Sequence, residues 1–162
     1  MPRKRRTKRA LSRDFSDLLE AFAACDVSYL VVGAHAVGAH GRPRTTKDLD
    51  LWIEGGENLE RVARALAVFG LPDVFSEAAR RLGDRDGLFF GSPPNRVDLL
   101  RGIEGLPFEE ARARAVRVDV GLAEPVPVIG LDDLIATKRA AGRPQDLADV
   151  DQLEKIRLRS RP

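Results

Sequence analysis

The sequence is poor in the residues that would support a disulfide framework, a cysteine-based zinc site or a membrane span. Its 162 residues include one cysteine, which excludes an internal disulfide and any zinc site built from several cysteines. No apolar run approaches the roughly 20 residues that a membrane-spanning helix requires, and the basic start leads into no apolar stretch typical of a signal peptide. With 43% hydrophobic and 32% charged residues, the composition indicates a globular protein. We expect it in the cytoplasm.

Positive charge is concentrated at the two ends of the chain. Residues 1–10 hold six Lys or Arg and no acid, and residues 155–162 hold four more. Between these ends, residues 11–154 contain 17 bases and 25 acids, a net charge of −8. We therefore predict a basic, disordered arm over 1–10, a single domain over 11–157 and a basic tail over 158–162. The arm is either a solvated tail or a tether for nucleic acid, and a tether would make binding strongly salt-dependent.

The hydrophobic pattern alternates between helical and strand periods. This predicts an α+β (mixed α/β) fold, with a small mixed β-sheet flanked by helices. The predicted helices cover residues 11–22, 34–39, 59–69, 108–115, 131–141 and 144–156. The predicted strands cover residues 28–32, 48–53, 88–90, 96–100, 116–120 and 126–129. The last is predicted as an edge strand, because its prolines cannot donate hydrogen bonds to a ladder.

Acidic residues on two of the predicted strands form the most informative pattern. Asp48 and Asp50 are two residues apart on one strand, so their side chains share a face and lie about 7 Å apart. Asp98, on another strand, would complete a group of three carboxylates if the two strands are neighbours. Three like charges are costly unless a cation lies among them, and such oxygen ligands suit Mg²⁺. Gly33, between a strand and a helix, would let backbone N–H groups approach a phosphate.

This combination resembles the three-carboxylate pattern of the DNA polymerase β nucleotidyltransferase superfamily. The residues that carry the resemblance are Gly33-Ala34, Asp48-Leu49-Asp50 and Asp98. The fifteen-residue step from Gly33 to Asp48 is similar to the AbiEii-type branch of small bacterial nucleotidyltransferases. Segments 128–138 and 142–149 look like later segments of that branch. The resemblance extends over about residues 28–153.

The resemblance implies a minimal nucleotidyltransferase fold and a reaction. A nucleoside monophosphate would pass from an NTP to an acceptor hydroxyl with release of pyrophosphate, and two Mg²⁺ ions would be the cofactors. Asp48 and Asp50 would hold the ions that bridge the triphosphate, and Asp98 would bind the second ion and help to deprotonate the acceptor. The backbone of Gly33 and Ala34 would hold terminal phosphates. The basic residues expected near the nucleotide are Arg44, Lys47 and Lys138.

The sequence leaves the acceptor and the partners open. RNA or a tRNA end, a protein hydroxyl and a small aminoglycoside-like molecule are all candidate acceptors, and a toxin–antitoxin setting is one hypothesis. Larger members build the acceptor site with an extra helical domain. Here an antitoxin, another protein or a second copy of the chain would supply that site, or else the acceptor is small. Ala34 replaces the serine or glycine usual in the superfamily, and Asp98 could simply pair with Arg96 or Arg101. The alternative hypothesis is therefore a non-catalytic binding module with the same fold.

Several other residues with chemical potential are interpreted as structural. His35 and His40 are five residues apart, which is not the spacing of a helical zinc pair. A lone Trp52 in a strand is more typical of packing than of stacking on a base. The residues expected to form local ion pairs at the start of the last helix are Arg143, Asp146 and Asp149.

Overall fold

Helices and strands alternate along most of the chain. A computed structural model describes residues 11–42 and 48–160. Within these ranges the strands are β1 (Tyr29–Val32), β2 (Asp48–Ile53), β3 (Gly87–Phe90), β4 (Arg96–Leu100), β5 (Val116–Val118) and β6 (Val126–Val128). The helices are α1 (Arg13–Ala24), α2 (Gly33–Ala39), α3 (Asn58–Phe69), α4 (Asp73–Arg80), α5 (Phe108–Ala113), α6 (Leu131–Ala141) and α7 (Pro144–Ser160). The α+β class and the mixed sheet flanked by helices are confirmed.

The six strands form one mixed sheet in the order β3-β4-β2-β1-β6-β5. The pairs β2–β4 and β1–β6 are parallel, and the other neighbouring pairs are antiparallel. Strand β2 therefore lies in the middle of the sheet, between β1 and β4. Because β4 pairs with β2 in parallel, the first residues of both strands lie at the same end of the sheet.

Strand β2 shows how the alternating pattern separates a buried face from an open one. Leu49 and Leu51 are buried on one face, while Asp48 and Asp50 stay half-buried on the other. Trp52 shares the aspartate face but is buried, because Phe108 of α5 packs edge-on against its ring at 5.2 Å between centroids. Trp52 therefore has a packing role, as the sequence analysis predicted. The face that carries the aspartates is open only at the start of β2.

Helices α3 and α4 pack on the face opposite the aspartates. Phe69 of α3 and Phe75 of α4 lie 6.2 and 6.1 Å from the ring of Phe90, measured between centroids. Phe90 is paired in register with Val97, so it points to the other side of the sheet from Asp98. These two helices thus cover the core face of the sheet, and the aspartate face stays open at the start of β2.

The prediction missed helix α4. Its start carries the usual signals, since Pro72 precedes Asp73 in the first turn. The Ser76 hydroxyl donates a hydrogen bond of 2.9 Å to the carbonyl of Ala63, which fixes α4 against α3. Because the helix has only eight residues, its apolar spacing is too brief to stand out from the sequence.

The boundaries differ at two other elements. Strand β5 ends at Val118 rather than at residue 120. Helix α7 continues to Ser160, into the segment that was predicted as a basic tail. Its last turns are held by Arg157, whose guanidinium pairs with Asp132 and Glu154. In the part of the chain that the structure describes, no helix is both long and apolar enough to cross a membrane.

Candidate active site

Strand pairing brings the three predicted aspartates to one place. Asp48 and Asp50 lie on the open face of β2, and Asp98 lies on β4. Asp50 and Asp98 are direct partners in the parallel register, so their side chains project from the same face of adjacent strands. We call these three residues the acid cluster.

The turn at Gly33 lies against the acid cluster. Gly33 opens α2 with a φ of +66°, a left-handed conformation that favours glycine. A Cβ atom at this position would overlap with Oδ2 of Asp50 and lie 3.0 Å from its Cγ. The Asp50 carboxylate therefore packs directly over the Gly33 backbone, and only a residue without a side chain leaves room for it.

The surroundings of Asp50 in the acid cluster disfavour its negatively charged form. Burial above all, and then the charges of Asp98 and Asp48, raise the pKa of Asp50 from 3.8 to about 6. When protonated, Asp50 is also stabilised by a hydrogen bond with the Asp98 side chain. The positive charge of the Lys138 ammonium lowers the pKa of Asp50 and so partly offsets these effects. Any additional cation near Asp50 would stabilise its charged form and so lower its raised pKa.

Arg96 and Phe89 lie next to Asp98. The Arg96 guanidinium donates to Oδ1 of Asp98 at 3.1 Å and lies 4.5 Å from the centroid of the Phe89 ring. Phe89 is the register partner of Asp98 and is 61% exposed, so an uncovered aromatic side chain borders the cluster. Sequence reasoning missed Phe89, because only the pairing of β3 with β4 places it in line with the aspartates.

Two aspartates of the acid cluster line an open cleft of about 550 Å³ together with Lys138 and Arg143, which we call the basic wall. The cleft is lined by Gly33, Ala34, Asp48, Asp50, Lys138, Arg143, Pro144, Gln145 and Asp146. The structure thus brings Lys138 to the same cleft as the glycine turn and two of the aspartates. It also adds Arg143, which the sequence analysis treated only as part of a local ion pair. Cations opposite carboxylates are the arrangement that a polyphosphate with a bound metal ion requires.

Two of the basic residues predicted near the nucleotide, Arg44 and Lys47, lie outside the described residues. Both histidines have structural surroundings instead of facing the cleft. The ring of His35 packs edge-on against Phe15, and burial lowers its pKa. The Nε2 atom of His40 lies 2.7 Å from the carbonyl oxygen of Ile129, at hydrogen-bonding distance.

The donor set of the acid cluster fits Mg²⁺, although it does not form a complete cage. Among residues 11–42 and 48–160, no three His, Cys, Asp or Glu side chains are grouped so that all could hold one metal ion. One oxygen of Asp98 is already held by Arg96. Mg²⁺ accepts one or two carboxylates and completes its shell with water and substrate phosphates, so Asp48 and Asp50 suffice as protein ligands. Their assignment as ligands stays a prediction.

Comparison with known proteins identifies the fold. No protein-family model and no curated protein matches the sequence. Among solved structures, the crystal structure of ANT(2'')-Ia in complex with adenylyl-2''-tobramycin superposes with a TM-score of 0.52 at 18% identity, over 89% of this chain and 91% of that one. The chain has a nucleotidyltransferase fold. The solution structure of the antibiotic-resistance factor ANT(2'')-Ia agrees, with a TM-score of 0.50 at 15% identity over 90% of this chain and 86% of that one.

The nucleotidyltransferase fold accounts for the position of the cleft. The acid cluster lies on two parallel strands in the middle of the sheet, and the first turn of α2 crosses the end of β1 beside them. The basic wall comes from α6 and from Arg143, the residue just before α7. Four separate parts of the nucleotidyltransferase fold therefore meet at one opening.

Proposed function

We propose that the chain transfers a nucleoside monophosphate from an NTP to an acceptor hydroxyl and releases pyrophosphate. The observation that carries this proposal is the convergence of Asp48, Asp50 and Asp98 beside the turn at Gly33, opposite a basic wall. The fold supports it, because ANT(2'')-Ia, which shares this fold, has been solved in complex with adenylyl-2''-tobramycin.

Each residue of the site is proposed to have a separate role in the reaction. Asp48 and Asp50 would hold one Mg²⁺, and Asp98 would bind a second ion through the carboxylate oxygen that Arg96 does not contact. The ions would supply positive charge that neutralises the triphosphate. The backbone of Gly33 and Ala34 is proposed to contact terminal phosphates, and Lys138 to pair with one of them.

The transfer itself is a displacement at the α-phosphorus. The acceptor oxygen bonds to this phosphorus as the bond to the β-phosphate oxygen breaks, and pyrophosphate leaves. Asp98 takes the proton of the acceptor hydroxyl. Positioning and charge neutralisation account for most of the rate increase in such reactions.

The first test measures nucleotide binding with and without Mg²⁺. Wild-type protein should bind an NTP analogue at least about 100-fold more tightly with Mg²⁺ than with EDTA, because the ion bridges carboxylates and phosphates. The double variant Asp48→Asn/Asp50→Asn should lose this dependence. Isothermal titration calorimetry measures both affinities, and Asp151→Asn, an exposed acid on α7, is the control. If wild type and the double variant bind the analogue equally, with and without Mg²⁺, the proposed metal site is wrong.

A non-catalytic binding module is the second candidate. The ion pair between Arg96 and Asp98 favours it, since this pair occupies the carboxylate that the reaction would need. Ala34 favours it too, because no hydroxyl is present there for a phosphate. Incubation with NTP labelled at the α-phosphate separates the two functions, as only an enzyme transfers the label and releases pyrophosphate.

The acceptor is proposed to be a small molecule that carries hydroxyl groups. The tobramycin product in ANT(2'')-Ia supports this choice, and that chain is matched over nearly its whole length. The labelled reaction is therefore run with an aminoglycoside, with RNA and with cell proteins as acceptors. The AbiEii-type assignment, the toxin–antitoxin setting and a tRNA acceptor rest on sequence resemblance and stay predictions.

A further inference from the structure

The ammonium group of Lys138 is held between two carboxylates of α7. Its Nζ atom lies 3.3 Å from Oδ1 of Asp146 and 3.3 Å from Oδ2 of Asp149. The two aspartates are three residues apart on one helix, so they present their carboxylates on the same side. A lysine side chain has four rotatable bonds, and two simultaneous ion pairs restrict most of that freedom.

Both carboxylates are buried more deeply than the lysine that they hold. The side chains of Asp146 and Asp149 are 3% and 1% exposed, against 12% for Lys138. Arg143 pairs with Asp146 at 2.6 Å, and Arg42 pairs with Asp149 at 3.3 Å. Burial alone would raise the pKa of Asp146, but hydrogen bonds from Arg143 and Lys138 bring it below its usual value. We call these five side chains the ion cluster.

The ion cluster carries a net positive charge, and two of its three cations line the cleft. Its three cations and two carboxylates leave a net charge of +1. An ammonium has three N–H donors, so two ion pairs leave one for a ligand. Lys138 and Arg143 both line the cleft, and Arg143 is 76% exposed. Asp149 does not line the cleft, and Asp146 lines it beside the two cations that it holds.

We propose that Asp146 and Asp149 are positioning residues, which hold Lys138 and Arg143 at the points where the triphosphate of the NTP binds. This inference rests on the proposed function, because it assumes that the cleft takes an NTP. Neither carboxylate is proposed to touch the nucleotide. Each acts through a cation, and a cation fixed before binding loses less conformational entropy when the phosphate arrives.

The sign of the effect distinguishes this role from simple electrostatics. Removing a negative charge near a phosphate site raises the local positive potential, and that alone would tighten NTP binding. Loss of a positioning residue has the opposite result, because Lys138 is released into many rotamers. A purely structural ion pair would lower the melting temperature and leave the affinity of the folded protein unchanged.

The test compares the affinity for α,β-methylene ATP in the presence of Mg²⁺. We expect Asp149→Asn and Asp146→Asn each to weaken binding about 10-fold, as the loss of one charge-assisted phosphate contact does. Lys138→Met should weaken binding by at least as much. The double variant Lys138→Met/Asp149→Asn should be no weaker than Lys138→Met alone, because Asp149 acts through the lysine.

Asp133→Asn is the matched control. Asp133 is a buried carboxylate in the first turn of the same helix as Lys138, and it binds Arg114 with contacts of 2.9 and 3.0 Å outside the cleft. We expect the Asp133→Asn variant to lose this ion pair with Arg114 and to bind α,β-methylene ATP as tightly as wild type does. Melting curves recorded for every variant identify the temperatures at which all of them are folded.

Two kinds of failure can be told apart. If Lys138→Met weakens binding while both aspartate variants bind as tightly as wild type or more tightly, the positioning role is wrong and the nucleotide site stands. If wild type does not bind the analogue, or Lys138→Met binds as wild type does, the nucleotide site itself is wrong and the inference falls with it.

Discussion

Asp50→Asn is expected to lower nucleotidyl transfer about 1,000-fold and, at neutral pH, to make the protein more stable. The loss of activity follows from the position of Asp50, because its carboxylate contacts the Gly33 turn and lies beside Asp98. An amide keeps the shape of the carboxyl group but cannot neutralise a metal ion, and removing one preorganised electrostatic group costs about 10²–10³ in rate. Label transfer from an α-labelled NTP measures this effect.

The gain in stability follows from the pKa of Asp50, which is raised from 3.8 to about 6 in the folded protein. A raised carboxyl pKa means that the folded state disfavours the charged form, so stability falls as the pH rises from about 4 to about 6 and then levels off. After a discount for the solvent that reaches this half-buried group, the penalty at pH 7 is about 1–2 kcal/mol. The uncharged amide of the Asp50→Asn variant avoids this penalty.

Thermal unfolding at two pH values checks this prediction. At pH 7.5 the melting temperature of Asp50→Asn should exceed that of wild type by about 4 °C, and at pH 4 the two should converge. Asp151→Asn, on the exposed side of α7, should show no difference at either pH. A variant less stable than wild type at pH 7.5 would mean that the Asp50 carboxylate contributes favourable contacts that outweigh its burial and the repulsion.

Gly33→Ala is expected to have the second largest effect, on activity and stability together. The backbone at Gly33 has a φ of +66°, which costs an alanine about 1–2 kcal/mol. The added Cβ would also overlap with the Asp50 carboxylate, so this short side chain must move away from the turn. We expect a fall in the free energy of unfolding of about 2 kcal/mol and a loss of transfer activity of about 100-fold.

The same helix provides a control for Gly33→Ala. Gly38 also lies in α2, and a Cβ there would meet no atom within 4 Å. Gly38→Ala should therefore stabilise the protein by about 0.5–1 kcal/mol, because alanine loses less backbone entropy in a helix. Urea unfolding and label transfer measure both variants. Equal behaviour of the two alanine variants would contradict the close approach of Asp50 to Gly33.

The acid cluster shows which parts of the site the sequence could predict. The period of two in β2 is local, so it correctly placed Asp48 and Asp50 on one face and the leucines on the other. The inclusion of Asp98 depended on its strand being a neighbour of β2, and only the resemblance supported that condition, since periodicity contains no information on which strands pair. The parallel register of β2 with β4 is a tertiary feature. The antiparallel register of β3 with β4 is one too, and it decides that Phe89 rather than Phe90 borders the cluster.

The ion cluster shows a different limit. The spacing of Arg143 and Asp146 predicted a local ion pair, and the structure has it. Arg42 and Lys138 belong to other elements, and their contacts with Asp149 depend on how α6, α7 and the segment after α2 pack together. Lys138 was expected near the nucleotide from the resemblance, but charged residues near a helix start have many uses, so the sequence offered no signal that Arg143 would line the same cleft. Helix α4 was missed because it is short.

The parallel pairing of β2 with β4 also has a consequence for how the protein folds. Asp50 and Asp98 are 48 positions apart in the chain, and α3, α4 and β3 lie between them. Closing so long an excursion carries an entropic cost that is recovered only when the strands join, which slows this step relative to local helix formation. A polypeptide still emerging from the ribosome therefore lacks a complete acid cluster until β4 has been made and inserted beside β2.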